Sequence, residues 1–296
     1  MISGQTVVVT GAGGFIGSHV VETLLGTNAR VVALYRTDPP PFTAPNLQTF
    51  PLDLRDENEL RAVLRYAAPN ADTVIHTAAM DGNAAFKRDN TALIFDTNLR
   101  IGSNVLNCAR DAGVGKVVLV SSAEASVESD NGYALSKSVV ELLAEQYRKQ
   151  YGMRIFLPRP SNVYGPRDKV DRVIPAMITR ITSGQDVEIW GDGSQTRSFV
   201  HVRDVVTAML EMVAQDTDDV LTVASRETIS ILELARTLCA LLDVPERVRL
   251  DPTKPTGAPP RPFDTTRMYQ LVTPRALRQG LGETVSWYRS TSQLAA

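Results

Sequence analysis

Val7-Val8-Val9-Thr10-Gly11-Ala12-Gly13-Gly14-Phe15-Ile16-Gly17 decides the fold: a β-branched run passes into a glycine turn and out onto Ser18-His19-Val20-Val21-Glu22-Thr23-Leu24-Leu25. That order reads as strand, tight turn and helix. Gly11, Gly14 and Gly17 let the backbone come close to a pyrophosphate, which then rests on the N-terminus of the helix. A turn of this kind can also do no more than connect a strand to a helix, but its place directly after an apolar strand is the context a dinucleotide site requires. A second signal, Tyr133-Ala134-Leu135-Ser136-Lys137, begins 116 residues after Gly17. Residues at i and i+4 share one helix face. A packed tyrosine and a solvated lysine would give the same spacing. The chemical reading is that a tyrosine, a poor proton carrier at neutral pH with its pKa near 10, has that pKa lowered by an adjacent ammonium.

Outward from the glycine turn, strands alternate with helical patterns. Strands are expected over 6–10, 30–35, 47–50, 73–76, 116–120 and 154–157, and helices over 16–26, 56–67, 90–112 and 133–151. The pattern predicts an α/β fold, a Rossmann doubly wound parallel sheet with right-handed crossovers. Ligands in such sheets lie beyond the carboxyl ends of the strands. Gly11 to Gly17, Tyr35-Arg36, Asp53-Leu54, Ala78-Ala79 and Ser121-Ser122 should therefore line one crevice. From about 166 the chain has more proline and shorter apolar runs, which suggests a smaller α/β lobe closing over that crevice. The expected division is 1–165, with 198–215 returning to it, against 166–197 and 216–296. Helices 90–112 and 133–151 carry apolar residues on more than one face, which suits either a four-helix dimer interface or burial within one chain.

The composition is 43% apolar with a net charge of −2, that of an ordinary globular chain with no basic excess for nucleic acid. No apolar run reaches the length of a membrane span, and the first strand begins too early for a signal peptide. A cytoplasmic protein with no nucleic-acid or membrane partner is the expectation. Cys108 and Cys239 sit far apart in apolar helical patterns and read as reduced thiols. His19, His76 and His201 have no partner at ligand spacing, so no metal site is expected.

Further motifs carry a family resemblance: His76-Thr77-Ala78-Ala79, Asn98-Leu99-Arg100-Ile101-Gly102-Ser103-Asn104, Pro158-Arg159-Pro160-Ser161-Asn162-Val163-Tyr164-Gly165-Pro166, and the run from Trp190-Gly191-Asp192-Gly193 through Arg197 to Val202. With the glycine turn and Tyr-x-x-x-Lys, they make the chain resemble the extended short-chain dehydrogenase/reductases that act on nucleotide sugars. Within these it looks most like the GDP-fucose synthase and nucleotide-sugar 4-ketoreductase branch. The resemblance implies that Ser122 polarises the sugar carbonyl, Tyr133 donates the proton, and Lys137 holds the ribose and depresses the tyrosine pKa. It places Phe15, Ile16 and Asn98 at the cofactor, Asp53 and Leu54 at the adenine, and Ala78-Ala79 beside the pyrophosphate. Asn162 and Arg197 would hold the substrate diphosphate, with Arg261, Arg172 and Trp190 as further substrate contacts and a homodimer as the assembly.

Several positions depart from the family pattern. NAD-selective sites place an acid at the end of the second strand, where this chain has Tyr35-Arg36; an arginine there can pair with a 2′-phosphate, so NADP(H) is expected over NAD(H). Fucose synthases are implied to epimerise through a cysteine and a histidine, and the matching positions here are Ala123 and Arg172. Neither is an acid–base group for a carbon-bound proton. Glu124 occupies the place of a dehydratase glutamate, but Ala123 breaks the other half of that pattern. The segment from Ala123 to Gly132 is shorter than in relatives. The expected function is NADPH-dependent reduction of a nucleotide-linked 4-keto-(6-deoxy)hexose at C4, without C3/C5 epimerisation. The alternatives are a 4-epimerase that retains NAD, a 4,6-dehydratase, a reductase of non-sugar carbonyls, and a non-enzymatic cofactor-sensing protein.

Overall fold

The computed structural model describes residues 2–168, 172–216, 220–254, 256 and 262–291. The chain divides into two compact units, Met1–Pro160 with Val206–Leu221, and Ser161–Val205 with Thr222–Ala296. In chain order its elements begin β1 (Thr6–Thr10), α1 (Phe15–Leu25), β2 (Arg30–Tyr35), β3 (Leu47–Pro51), α2 (Glu57–Tyr66), β4 (Thr73–His76), α3 (Ala84–Asp89), α4 (Thr91–Asp111), β5 (Lys116–Leu119), α5 (Gly132–Tyr151) and β6 (Arg154–Pro160). They continue with β7 (Val163–Tyr164), α6 (Val173–Thr182), β8 (Val187–Trp190), β9 (Thr196–Ser198), β10 (Val200–His201), α7 (Val202–Gln215), β11 (Val220–Val223), β12 (Thr228–Ser230), α8 (Ile231–Leu242), β13 (Val248–Asp251), α9 (Thr266–Leu271) and α10 (Leu277–Ser290).

The seven-stranded sheet runs β11-β6-β5-β4-β1-β2-β3, and every pair from β3 to β6 is parallel. Central strands of such a sheet are covered on both faces, which is why β1, β2 and β4 each carry consecutive apolar residues rather than an alternation. Val7, Val8, Val9, Val31, Val32 and Ile75 are wholly buried. The outer strand β3 is the exception, with Gln48, Thr49 and Pro51 exposed, and a proline at its end blunts an edge that must not recruit another strand. α2 starts on Asp56, whose carboxylate accepts from Glu59 N, with Glu57 and Glu59 in its first turn; both features complement the positive helix end. α4 and α5 lie close because Gly102 has no side chain: a Cβ there would be 2.9 Å from a Val140 methyl. Cys108 and Cys239 are both free and buried. No described helix is long and apolar enough to cross a membrane.

The helix read over 90–112 is α4, and a six-residue helix that the sequence did not announce, α3, precedes it across Asn90. Asn83 caps α3 by accepting from Phe86 N.

The second unit is held by three two-stranded sheets, β10-β7, β12-β9 and β13-β8. The segment around 198–201 belongs here, since Val200 and His201 pair with Val163 and Tyr164. Its core gathers Tyr164, Ile178, Leu234, Leu238, Leu281 and Tyr288.

Candidate active site

The glycine turn joins β1 to α1. Gly11 has φ +69°, and a Cβ on it would lie 2.7 Å from Ala78 N; a Cβ on Gly17 would lie 2.1 Å from Gly11 O. The protein's own backbone therefore demands both glycines. Gly14 differs: it is exposed, its φ of −78° suits any residue, and as N-cap of α1 it brings no capping side chain. The helix end it opens, with Phe15 and Ile16 in the first turn and no acidic residue there, has the free N–H groups that suit an anion. Gly13, which the sequence reading passed over, is the tightest position, with a Cβ 1.8 Å from Asp38 O. The loop after β2 is thus seated on the turn, and exposed Arg36 stands at its start. Asp53 accepts from Arg55 at N, Nε and Nη2. That hydrogen-bonded arginine, with Arg36 adding a smaller pull, brings the Asp53 carboxyl down to about 2. Leu54 is buried and its carbonyl accepts from Asn104. Uncapped helix N-terminus, exposed glycine and a cation at the end of β2 form a set of groups that fits a dinucleotide.

Ser122, Tyr133 and Lys137 all belong to the first unit. Ser122 follows β5, is buried, and its Oγ accepts from Glu124 N at 3.1 Å, which leaves the O–H as a donor. Tyr133 opens α5, where the Asn131 side chain caps the helix by accepting from Tyr133 N. Lys137, one turn on, is 8% exposed and gives one N–H to Val120 O at 2.7 Å. Burial pushes its ammonium down to about 8, against the pull of Asp81 and Glu141 and with a push from Lys87. It remains a cation at neutral pH. His76, wholly buried and bonded to Thr10 Oγ1 at 2.7 Å, is held down to about 3 by burial and by the Lys137 charge, so it is neutral beside that cation. Asn98, expected at the cofactor, spends its amide on Met80 N, Met80 O and Ser136 Oγ. It shapes the segment after Ala78-Ala79.

Two residues that the sequence reading missed join this group. Lys87 of α3 places its ammonium 4.2 Å from the centre of the Tyr133 ring and pairs with Asp81 at 3.0 Å and Glu124 at 3.7 Å. Neither Lys87 nor Asp81 falls in a periodic pattern that would have marked it.

In the second unit Asn162 takes a left-handed φ of +41° and donates to Ser198 O at 3.0 Å. That bond sets it beside Arg197, which lies on β9 and donates to Thr196 O. Trp190 is half exposed, tied to Glu188 and faced by Lys254. Arg172 pairs with the buried Asp168 carboxylate at 3.3 Å. Arg261 lies outside the described residues.

Among known proteins, the chain is 48% identical, over 97% of its own length and 97% of the relative's, to dTDP-4-dehydro-6-deoxy-D-allose reductase of Streptomyces sp. It is 28% identical over 97% of both chains to GDP-L-fucose synthase of Escherichia coli. The crystal structure of the dTDP-glucose 4,6-dehydratase DesIV from Streptomyces venezuelae, with NAD bound, superposes with a TM-score of 0.85 at 26% identity, covering 97% of this chain and 98% of that one. Residues 7–224 match the NAD dependent epimerase/dehydratase family, and to that family this chain belongs.

Proposed function

We propose that the protein is an NADPH-dependent reductase of a nucleotide-linked 4-keto-6-deoxyhexose, with a dTDP sugar as the first substrate to test. The observation that carries this reading is the identity, across nearly the whole chain, with a reductase of such a sugar. The nicotinamide, when bound, supplies the hydride. Tyr133 passes its hydroxyl proton to the oxygen forming at C4, and Ser122 donates a hydrogen bond to the same oxygen. Lys137 holds the ribose with the N–H groups that Val120 does not take, and its charge favours the phenolate left on Tyr133. Asn162 and Arg197 hold the substrate diphosphate, an anion that suits a guanidinium fork; binding there positions C4 for reduction. Ala123 and Arg172 provide no group to move a proton at C3 or C5, so reduction proceeds without epimerisation. Exposed Leu93 on α4 and Leu142 on α5 support a homodimer. A reductase drawing on soluble nucleotide sugars suits the cytoplasm.

The test is NADPH oxidation in D2O with dTDP-, GDP- and UDP-linked 4-keto-6-deoxy sugars. Oxidation that needs the sugar, with no deuterium at C3 or C5 of the product, is the expected result. Silence across the panel with NAD retained in the purified protein would replace the reading with 4-epimerisation.

Arg36 carries the cofactor preference. Arg36→Ala should raise the Kd for NADPH about tenfold or more, the worth of a charge-assisted phosphate contact, and leave NADH nearly unaffected in a fluorescence titration. Equal loss for both would remove Arg36 from the 2′-phosphate. Glu124 is more than half exposed and paired with Lys87, so it is no base for dehydration. Glu124→Gln should slow reduction by about fivefold at most, the worth of an exposed ion pair; a general base would cost ~100-fold or more.

A further inference from the structure

Lys87 is a charged group at the site to which the reaction above gives no task. It sits on α3, whose place is fixed by backbone contact: a Cβ on Gly132 would lie 2.0 Å from Thr91 O, and Gly132 N donates to Thr91 Oγ1. The residue that precedes Tyr133 therefore lies against the first residue of α4, one helical turn after Lys87. Thr91 Oγ1 also donates to Lys87 O. The result is an ammonium 4.2 Å from the tyrosine ring centre, nearer than Lys137 at 5.7 Å. Asp81, from the segment after β4, and Glu124, from the segment after β5, hold it from two sides. Only 18% of the Lys87 side chain is exposed, so solvent screens it less than a surface lysine.

A cation over an aromatic face is attracted to the ring, and the attraction grows when the ring carries the negative charge of a phenolate. Donation of the Tyr133 proton creates that phenolate. We propose that Lys87 is a positioning residue for the proton donor: clamped by Asp81 and Glu124, its ammonium fixes the Tyr133 ring and stabilises the phenolate left after proton transfer. This rests on the reductase reading for its consequence in turnover, and on geometry alone for its effect on Tyr133. Lys137 on α5 is a second cation near the ring, Glu141 and His76 interact with Lys137 in turn, and Asp81 and Glu124 flank Lys87; their balance bears on the ionisation that Lys87 biases.

The test reads Tyr133 directly. The full-length protein is labelled with [13Cζ]tyrosine, the Tyr133 signal among the eight tyrosines is assigned with Tyr133→Phe, and its titration is followed by NMR in wild type, Lys87→Met, Lys87→Gln and Lys87→Arg. Removal of the charge should raise the Tyr133 midpoint by about one unit, a tenfold change in ionisation constant, and Lys87→Arg should leave it near wild type. In turnover the alkaline limb of kcat/KM for reduction should move up with it, and the Met and Gln variants should be about tenfold slower at neutral pH. An unmoved Tyr133 signal in both neutral variants, or one moved as far by arginine as by methionine, would overturn the proposal. If the wild type reduces none of the sugars the reductase reading fails, and the NMR titration still decides the role of Lys87.

Discussion

Tyr133→Phe should slow sugar-dependent NADPH oxidation by about 100- to 10,000-fold, the worth of a positioned proton donor, while NADPH still binds. The substitution takes away one oxygen and keeps the ring. Lys87 and Lys137 keep the aromatic face they lie near, and the Asn131 cap on the backbone of residue 133 is untouched. The fold should therefore melt within a few degrees of wild type, since less than about 1 kcal/mol is at stake in a domain of this size. What disappears is the hydroxyl that, in the proposed reaction, the Lys137 cation activates. Ser122 can still donate to the C4 oxygen but, with no cation assigned to it, is a poor proton source, so it should account for the residual rate. Single-turnover kinetics at saturating NADPH would check this. A variant that retained more than a tenth of the wild-type rate, with unchanged cofactor affinity, would remove Tyr133 as the donor.

Much of this site was legible because its signals are short-range. A β-branched run ending in glycine specifies strand and turn locally, and β1 and α1 fall within a residue of where the sequence places them. Tyr133 and Lys137 are four residues apart on one helix, so their common face follows from helical geometry. Lys87 was not legible for the opposite reason. α3 spans only six residues, Ala-Ala-Phe-Lys-Arg-Asp, too few for a 3.6-residue period to stand out, and its approach to Tyr133 depends on Gly132 meeting Thr91, a contact across 41 residues. Asn98 shows a related limit: the motif that contains it is visible, but its amide is consumed by Met80 and Ser136, 18 and 38 residues away, which no local pattern signals. In the second unit the paired strands are two to four residues long, below the length at which alternation can be read. The sequence pattern therefore starts the returning segment at 198, whereas the chain rejoins the first unit at Val206.

Gly17→Ala and Gly14→Ala should separate what the glycine turn does for the fold from what it does for the cofactor. An alanine methyl at position 17 would sit 2.1 Å from Gly11 O and 2.6 Å from Thr77 Oγ1. Neither atom can withdraw cheaply: Gly11 is in a left-handed turn and its neighbour Thr10 receives the Thr77 hydroxyl at 2.7 Å. Overpacking of that kind costs about 1–3 kcal/mol, so Gly17→Ala should melt roughly 3–10 °C below wild type without any ligand present. At position 14 the backbone is already in a conformation alanine adopts, and the nearest atom to the new methyl is Gly11 O at 3.1 Å. An alanine N-cap in place of glycine costs less than about 1 kcal/mol, so the protein should fold almost as stably. The methyl would instead stand over the open end of α1, where a pyrophosphate would approach the first-turn N–H groups. Gly14→Ala should therefore lose NADPH affinity at least about tenfold with little change in Tm, whereas Gly17→Ala loses Tm first. Thermal melts of the unliganded variants beside NADPH fluorescence titrations would read both effects, and a Gly14→Ala protein that bound NADPH as tightly as wild type would mean the pyrophosphate does not rest on this helix.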